Sequence, residues 1–228
     1  MAKNDFDNVV LPDNEPYEAR CLCVLVLDIS GSMSGDPINE LNHGLERFKD
    51  EVKSDEFLSE RLELGIVTFE SQVDVAMLPT LFLSIHENLP KLESKGNTKL
   101  VDGVRKAIFI TQGRKEYYRK QGLNFYRPWI FLITDGEPDG DQDVNGLAKE
   151  IAEGEDGAHF IFWAVGVKDA NIEKLKLICH QRGPVKLQQL KFMDLFIWLK
   201  NSFDVVSKSH QGEKANLPSI DPWAQIPV

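Results

Sequence analysis

Three short polar segments of the sequence carry the residue types that hold a hard divalent cation. The first, Asp28–Ser32 (DISGS), sets a carboxylate and two hydroxyls at alternate positions around a glycine that permits a tight bend. The second, Gly96–Thr98, adds a third hydroxyl just ahead of a helical pattern. The third, Thr134–Gly136, adds a second carboxylate directly after an apolar run. Carboxylate and hydroxyl oxygens are hard ligands, which suit Mg²⁺ or Mn²⁺.

Together these segments supply two carboxylates and three hydroxyls, an all-oxygen ligand set for one divalent ion. The candidate ligands are Asp28, Ser30, Ser32, Thr98 and Asp135. Because hydroxyls neutralise little charge, the ion would stay electron-poor and keep a position for a carboxylate from outside. We therefore expect a Mg²⁺ or Mn²⁺ site, and Ca²⁺ is a third ion compatible with these oxygens.

Alternating strand and helix patterns place the three segments at one edge of a sheet. The run Cys21–Leu27 is continuously apolar and ends in a polar turn, which is typical of a parallel strand buried on both faces. The run Trp129–Ile133 ends in the same way before Asp135. Ligands of such sheets gather at the carboxyl ends of the strands, so the two carboxylates are expected to lie close together.

The whole pattern predicts an α/β fold with a doubly wound, mostly parallel central sheet, one antiparallel edge strand and helices on both faces. Strand patterns cover residues 21–27, 62–69, 72–77 (the antiparallel edge), 129–133, 159–167 and 185–188. Helix patterns cover residues 37–52, 100–121, 142–153, 171–180 and 191–206. Asp36 is expected to cap the first helix, because Pro37 suits the first helical position.

DISGS at 28–32, Thr98 in its glycine-led loop and TDGEP at 134–138 together resemble the metal-ion-dependent adhesion site (MIDAS) of von Willebrand factor A domains. The resemblance covers residues 21–206 and implies a Rossmann-like fold. It implies that Ser30, Ser32 and Thr98 contact the ion, with Asp28 and Asp135 acting directly or through water. The loop GNTKLVDGV departs from the family pattern, which is more hydrophobic and glycine-rich over residues 99–102.

The segments DISGSMSGDPINELNHGL and LGIVTFES are similar to the bacterial TerY-like branch of this family, found in tellurium-resistance clusters. That similarity implies a non-enzymatic, metal-dependent adaptor in a stress response. Its partner would offer an Asp or Glu to the ion and would be a kinase, a phosphatase or another resistance-cluster protein. The alternative is a metal-dependent phosphotransferase or hydrolase using the same site. It would need a general base, and the five histidines have no dyad or ligand spacing.

Other interpretations of these residues are weaker. Asp28 and Asp135 could simply cap helices in the βα loops. A calcium loop beginning at Asp135 would need a glutamate at its twelfth position, which is Gly146, and Pro138 interrupts it. Met33 stands where a hydrolase nucleophile elbow needs serine, and the sequence has no P-loop motif.

The composition disfavours some classes of partner and indicates the cellular compartment. The 228 residues carry a net charge of −10, which disfavours nucleic acid and anionic membranes as partners. Three cysteines without a pairing pattern and the absence of a long apolar stretch predict a cytoplasmic protein with reduced thiols. We expect a polar lead-in over 1–19, the domain over 20–206 and a tail over 207–228, flexible or docked. Trp223 in that tail either packs on the domain or anchors a partner.

Overall fold

A seven-stranded sheet runs through the computed structural model, which describes residues 18–137, 140, 142–209, 214–221 and 223–225. The strands, in chain order, are β1 (Cys21–Asp28), β2 (Leu62–Phe69), β3 (Val73–Leu81), β4 (Trp129–Thr134), β5 (Ile161–Gly166), β6 (Val185–Leu187) and β7 (Ala224–Gln225). Their order across the sheet is β3-β2-β1-β4-β5-β6-β7.

Six α-helices connect or flank these strands in the described part of the chain. They are α1 (Asp36–Lys53), α2 (Glu56–Ser59), α3 (Leu100–Gln121), α4 (Val144–Asp156), α5 (Ile172–Ile178) and α6 (Phe192–Lys208). None of the helices within the described residues is long and apolar enough to span a membrane.

The predicted fold class is confirmed. Strands β2, β1, β4, β5 and β6 pair in parallel, and β3 pairs antiparallel with β2 at one edge. The structure adds the two-residue strand β7, which pairs antiparallel with β6 at the opposite edge. A strand of two residues has too little periodicity to be recognised from sequence.

Each face of the sheet is covered by helices, because successive residues of a strand point to opposite sides. Helices α1 and α6 pack on one face, where they bury the odd-numbered residues of β1, namely Cys21, Cys23, Leu25 and Leu27. Helices α3, α4 and α5 pack on the other face against Leu22, Val24 and Val26. The β1 strand is therefore buried along its full length, as its apolar run predicts.

Element boundaries differ from the sequence-based ones in a few places. Helix α1 begins at Asp36 itself, and Gly35 is the capping residue with φ of 82°. Asp36 thus lies inside the first turn, where its negative charge is favourable to the helix dipole. Strand β3 continues to Leu81, four residues beyond the predicted end, because its register along β2 resumes after a bulge.

The C-terminal segment lies against the domain in its described part. Trp223 is 1% exposed and packs on Trp198, with 5.2 Å between the ring centroids. The indole of Trp198 donates to the Pro218 carbonyl at 2.9 Å, and the Gln188 amide donates to the Trp223 carbonyl at 2.8 Å. Of the two interpretations of Trp223, packing on the domain is therefore confirmed. Residues 1–17, most of the predicted lead-in, lie outside the described residues.

The three cysteines form no disulfide bond. Burial raises the pKa of Cys21 and of Cys179 to about 12, and it raises the pKa of Cys23 as well. A thiol with a raised pKa stays protonated at neutral pH and is a poor nucleophile. These cysteines therefore act as small apolar side chains of the core.

Candidate metal centre

The three polar segments meet at the point where the strand order reverses. Strand β1 leads on to β2 on one side, and its neighbour β4 leads on to β5 on the other side. The connections from β1 and β4 therefore leave in opposite directions, and a crevice opens at the carboxyl ends of these two strands. Asp28 is the last residue of β1, and Asp135 directly follows β4. The sheet topology therefore brings the two predicted carboxylates to the same crevice.

Asp28 is fully buried and held at both of its oxygens. Its Oδ1 accepts a hydrogen bond from the Ser30 amide at 2.8 Å, and its Oδ2 accepts one from Thr134 Oγ1 at 2.5 Å. Burial raises the pKa of Asp28, the hydrogen bonds from Ser30 and Thr134 offset part of that rise, and the nearby charge of Asp135 adds to it. A nearby cation would relieve both the burial and the repulsion.

The two serines join Asp28 to Asp135. Ser30 Oγ and Ser32 Oγ lie 3.0 Å apart, and Ser32 Oγ donates to Asp135 Oδ1 at 2.6 Å. Ser30 is 2% exposed whereas Ser32 is exposed, so the row of hydroxyls runs from the floor of the crevice to its mouth. These oxygens are consequently within reach of one small ion.

Thr98 is brought to the same place by its loop. The Gly31 amide donates to the Gly96 carbonyl at 3.0 Å, and the Lys95 amide donates to the Ile29 carbonyl at 2.8 Å, so this loop pairs with the loop after β1. A methyl group added to Gly136 would lie 3.2 Å from Thr98 Oγ1 and 3.4 Å from Asp28 Oδ2. The threonine hydroxyl and the buried carboxylate therefore flank the same glycine.

All five predicted residues thus converge in one crevice, and their chemistry fits a hard divalent ion. In the part of the chain that the structure describes, neither Asp28 nor Asp135 forms an ion pair with a basic side chain. The described residues also contain no group of three or more His, Cys, Asp or Glu suited to a metal. A cation held here would depend on the hydroxyls of Ser30, Ser32 and Thr98 as well as on the two acids.

Gln142 supports the site, and no sequence pattern marks it for that role. Its Nε2 donates to the Thr98 carbonyl at 2.7 Å, and its Oε1 accepts from the Val101 amide at 2.8 Å. The second bond satisfies one of the free amides at the start of α3. Gln142 therefore links the threonine loop to the loop after β4. The two bonded residues are 44 positions apart, so no local sequence pattern predicts this contact.

A further acid, Glu137, follows two residues after Asp135. Glu137 is exposed, accepts a hydrogen bond from Asn171 Nδ2 at 2.5 Å and pairs with Lys174 at the start of α5. The hydrogen bond from Lys174 lowers the pKa of Glu137. Asp139 and Asp141 lie outside the described residues, as does Pro138.

The fold and the crevice define a doubly wound α/β domain with a candidate cation site at its topological switch point. A family model of the von Willebrand factor type A domain matches residues 23–193. The chain therefore belongs to the von Willebrand factor type A domain family.

Several proteins similar to this chain are longer than it. Inter-alpha-trypsin inhibitor heavy chain H3 of Pongo abelii is 26% identical over 112 residues, which are 49% of this chain and 13% of that protein. Among solved structures, the pilus adhesin SpaC of Lactobacillus rhamnosus GG has a TM-score of 0.65 at 13% identity, over 83% of this chain and 30% of its own.

A mussel protein gives a further structural likeness. Proximal thread matrix protein 1 from the mussel byssus has a TM-score of 0.56 at 16% identity, over 84% of this chain and 46% of its own. A second structure of that protein, with a zinc-occupied MIDAS motif, has a TM-score of 0.57 at 14% identity, over 82% of this chain and 47% of its own. At these identities the likeness supports the fold alone.

Proposed function

We propose that this chain is a protein-binding module that uses a divalent cation to capture an acidic side chain of its partner. The observation that carries the proposal is the convergence of five oxygen-bearing side chains from three distant segments in one crevice. The proposed ligands are Asp28, Ser30, Ser32, Thr98 and Asp135. Bound there, the ion would supply a Lewis-acid position for an oxygen from outside.

The ion that these residues favour is Mg²⁺ or Mn²⁺. The two carboxylates attract a divalent cation, and hydroxyl oxygens complete a hard ligand set without adding further negative charge. The mussel protein, which is similar in fold, has a MIDAS motif occupied by zinc, and this supports the binding of a divalent ion by the MIDAS-like segments of this chain. Because the hydroxyl ligands leave the ion electron-poor, it would still bind the carboxylate of a partner's Asp or Glu.

The cellular setting that we propose follows from the resemblance to the TerY-like branch. In that setting the chain is a cytoplasmic adaptor of a bacterial tellurium-resistance or related stress system. Its partner is a kinase, a phosphatase or another protein of the same cluster. The arrangement of the crevice supports an adaptor over an enzyme, because the acids found in it bond to hydroxyls and amides instead of to a histidine base.

Calorimetric titration with Mg²⁺ and Mn²⁺ tests the metal claim. We expect the wild type to bind one ion and Asp28→Ala to bind none, while Asp50→Ala, a change at an exposed acid on α1, should bind as the wild type does. Equal heats in the wild type and Asp28→Ala, or none in the wild type, would contradict the proposal.

Capture of partners from lysate tests the binding claim. A protein retained by the wild type should be released by chelator and should fail to bind Asp28→Ala. A phosphoester-hydrolysing activity of the pure protein that disappeared in Asp28→Ala would instead favour the enzyme.

A further inference from the structure

Lys168, which belongs to none of the three polar segments, reaches the mouth of the crevice from the loop after β5. Its Nζ donates a hydrogen bond to the Ser32 carbonyl at 3.0 Å. Ser32 is the outermost of the proposed serine ligands, and its hydroxyl bonds to Asp135. An ammonium group is therefore held beside the residue at which an incoming ligand would enter.

The backbone of Lys168 is in a conformation that disfavours lysine. Residues 167–170 form a tight turn in which the Ala170 amide donates to the Val167 carbonyl at 3.0 Å, and Lys168 has φ of 50°. Positive φ at this turn position favours glycine or asparagine. A lysine in this conformation is disfavoured, because its Cβ comes too close to the following carbonyl oxygen. A residue kept in such a conformation is a candidate for a functional role.

The charge of Lys168 is not neutralised within the described part of the chain. An ammonium group has three donors, and of the described residues only Ser32 accepts from it. Lys174, on the same side of the crevice, differs because Glu137 neutralises it. Lys168 therefore offers two donors and a positive charge at the mouth of the crevice, on a chain whose net charge is −10.

We propose that Lys168 binds the partner's carboxylate together with the metal ion, an inference that rests on the proposed function. A carboxylate has two oxygens, so one that gives an oxygen to the ion keeps the other free to accept from an ammonium group. This pairing selects an Asp or Glu side chain over a neutral oxygen ligand such as serine or water. Lys168 is thus a specificity-determining residue of the docking surface.

A purely structural role for Lys168 makes a different prediction. If its only task were to fasten the loop after β5 to the loop after β1, removing the amine would loosen Ser32. Metal affinity and stability would then fall together. In the role that we propose, the ammonium group repels the cation and attracts the anion, so removing it should weaken only the binding of carboxylate.

The experiment uses Mn²⁺ as the bound ion and acetate as the carboxylate probe. Acetate that displaces water from bound Mn²⁺ lowers the water proton relaxation rate, so one titration gives the acetate affinity and a separate one gives the Mn²⁺ affinity. The variants are Lys168→Met, which keeps the length without the charge, and Lys168→Arg, which keeps the charge. Lys174→Met is the matched control at a neutralised lysine of the same rim.

We expect Lys168→Met to bind acetate about tenfold more weakly, the loss typical of one charge-assisted hydrogen bond, with Mn²⁺ affinity equal to or above that of the wild type. Lys168→Arg should retain most of the acetate affinity, and Lys174→Met should match the wild type. Unchanged acetate affinity in Lys168→Met would overturn the role proposed for Lys168, as would a parallel loss of Mn²⁺ affinity and thermal stability. Neither result would overturn the proposed function. A wild type that binds no Mn²⁺ overturns the proposed function and this inference together.

Discussion

Two buried carboxylates at opposite ends of the sheet are treated in opposite ways. Glu63 lies near the start of β2 and is 1% exposed, while Asp28 lies at the end of β1 and is 0% exposed. Because β1 and β2 are parallel neighbours, the two acids belong to the amino and carboxyl edges of the same pair of strands. The difference between their surroundings distinguishes Glu63, an acid with a structural role, from Asp28, which we propose binds a cation.

The charge of Glu63 is neutralised by the chain itself. Arg114 donates to it twice, at 2.7 and 3.0 Å, Tyr118 donates at 2.7 Å, and Arg20 lies 3.7 Å away. Burial and the charge of Glu63 raise the pKa of Tyr118 well above its ordinary value, so the phenol stays a donor. At this edge of the sheet, the buried charge of Glu63 is therefore balanced by neighbouring side chains.

Asp28 has no such compensation in the described part of the chain. Its hydrogen bonds come from the Ser30 amide and the Thr134 hydroxyl, which carry no net charge, and a second acid, Asp135, lies nearby. The fold therefore supplies orientation to Asp28 without supplying a counter-charge. We infer that the missing positive charge is that of the proposed cation.

The largest effect on stability is expected from removing the arginine that neutralises Glu63. Arg114→Met should lower the free energy of unfolding by roughly 3–5 kcal/mol, because it leaves the Glu63 charge buried without its bidentate partner. Urea denaturation measures this loss, with Lys120→Met, at an exposed lysine of the same helix, as the control. A loss below about 1 kcal/mol would show that Glu63 is not held as we describe.

Neutralising the other carboxylate should produce the converse result. Asp28→Asn should weaken Mn²⁺ binding about a hundredfold or more, equivalent to ~2.7 kcal/mol, because an amide oxygen carries no charge for the cation. The metal-free protein should keep its free energy of unfolding to within about 1 kcal/mol, since the buried charge and its repulsion from Asp135 are removed. If Asp28→Asn destabilised the metal-free protein as much as Arg114→Met, the contrast between the two acids would fail.

A smaller effect is expected from the residue that supports the threonine loop. Gln142→Ala removes the bonds to the Thr98 carbonyl and the Val101 amide, so Thr98 should be less well positioned. Mn²⁺ affinity should fall about tenfold, at the lower end of the losses seen for supporting residues of metal sites. Gln112→Ala, at an exposed glutamine of α3, is the control for calorimetry. Equal Mn²⁺ affinity in both variants would mean that Thr98 does not depend on Gln142.

The sequence predicted those parts of the molecule that local patterns encode. Apolar runs located the parallel strands, and the acids and hydroxyls at their ends located the crevice, because a strand end fixes where the next few residues lie. Gln142, Lys168 and the partners of Glu63 could not be predicted in this way. Each acts through a contact between residues far apart in the chain, and such contacts depend on how the elements pack.

Anomalous diffraction from crystals soaked in Mn²⁺ would locate the bound ion itself. We expect one strong peak in the crevice, within about 2–2.5 Å of oxygens from all three polar segments. The side chains that should surround it are those of residues 28, 30, 32, 98 and 135. A peak bound by other residues, or no peak at Mn²⁺ concentrations that saturate the heat of binding, would contradict the proposed metal site.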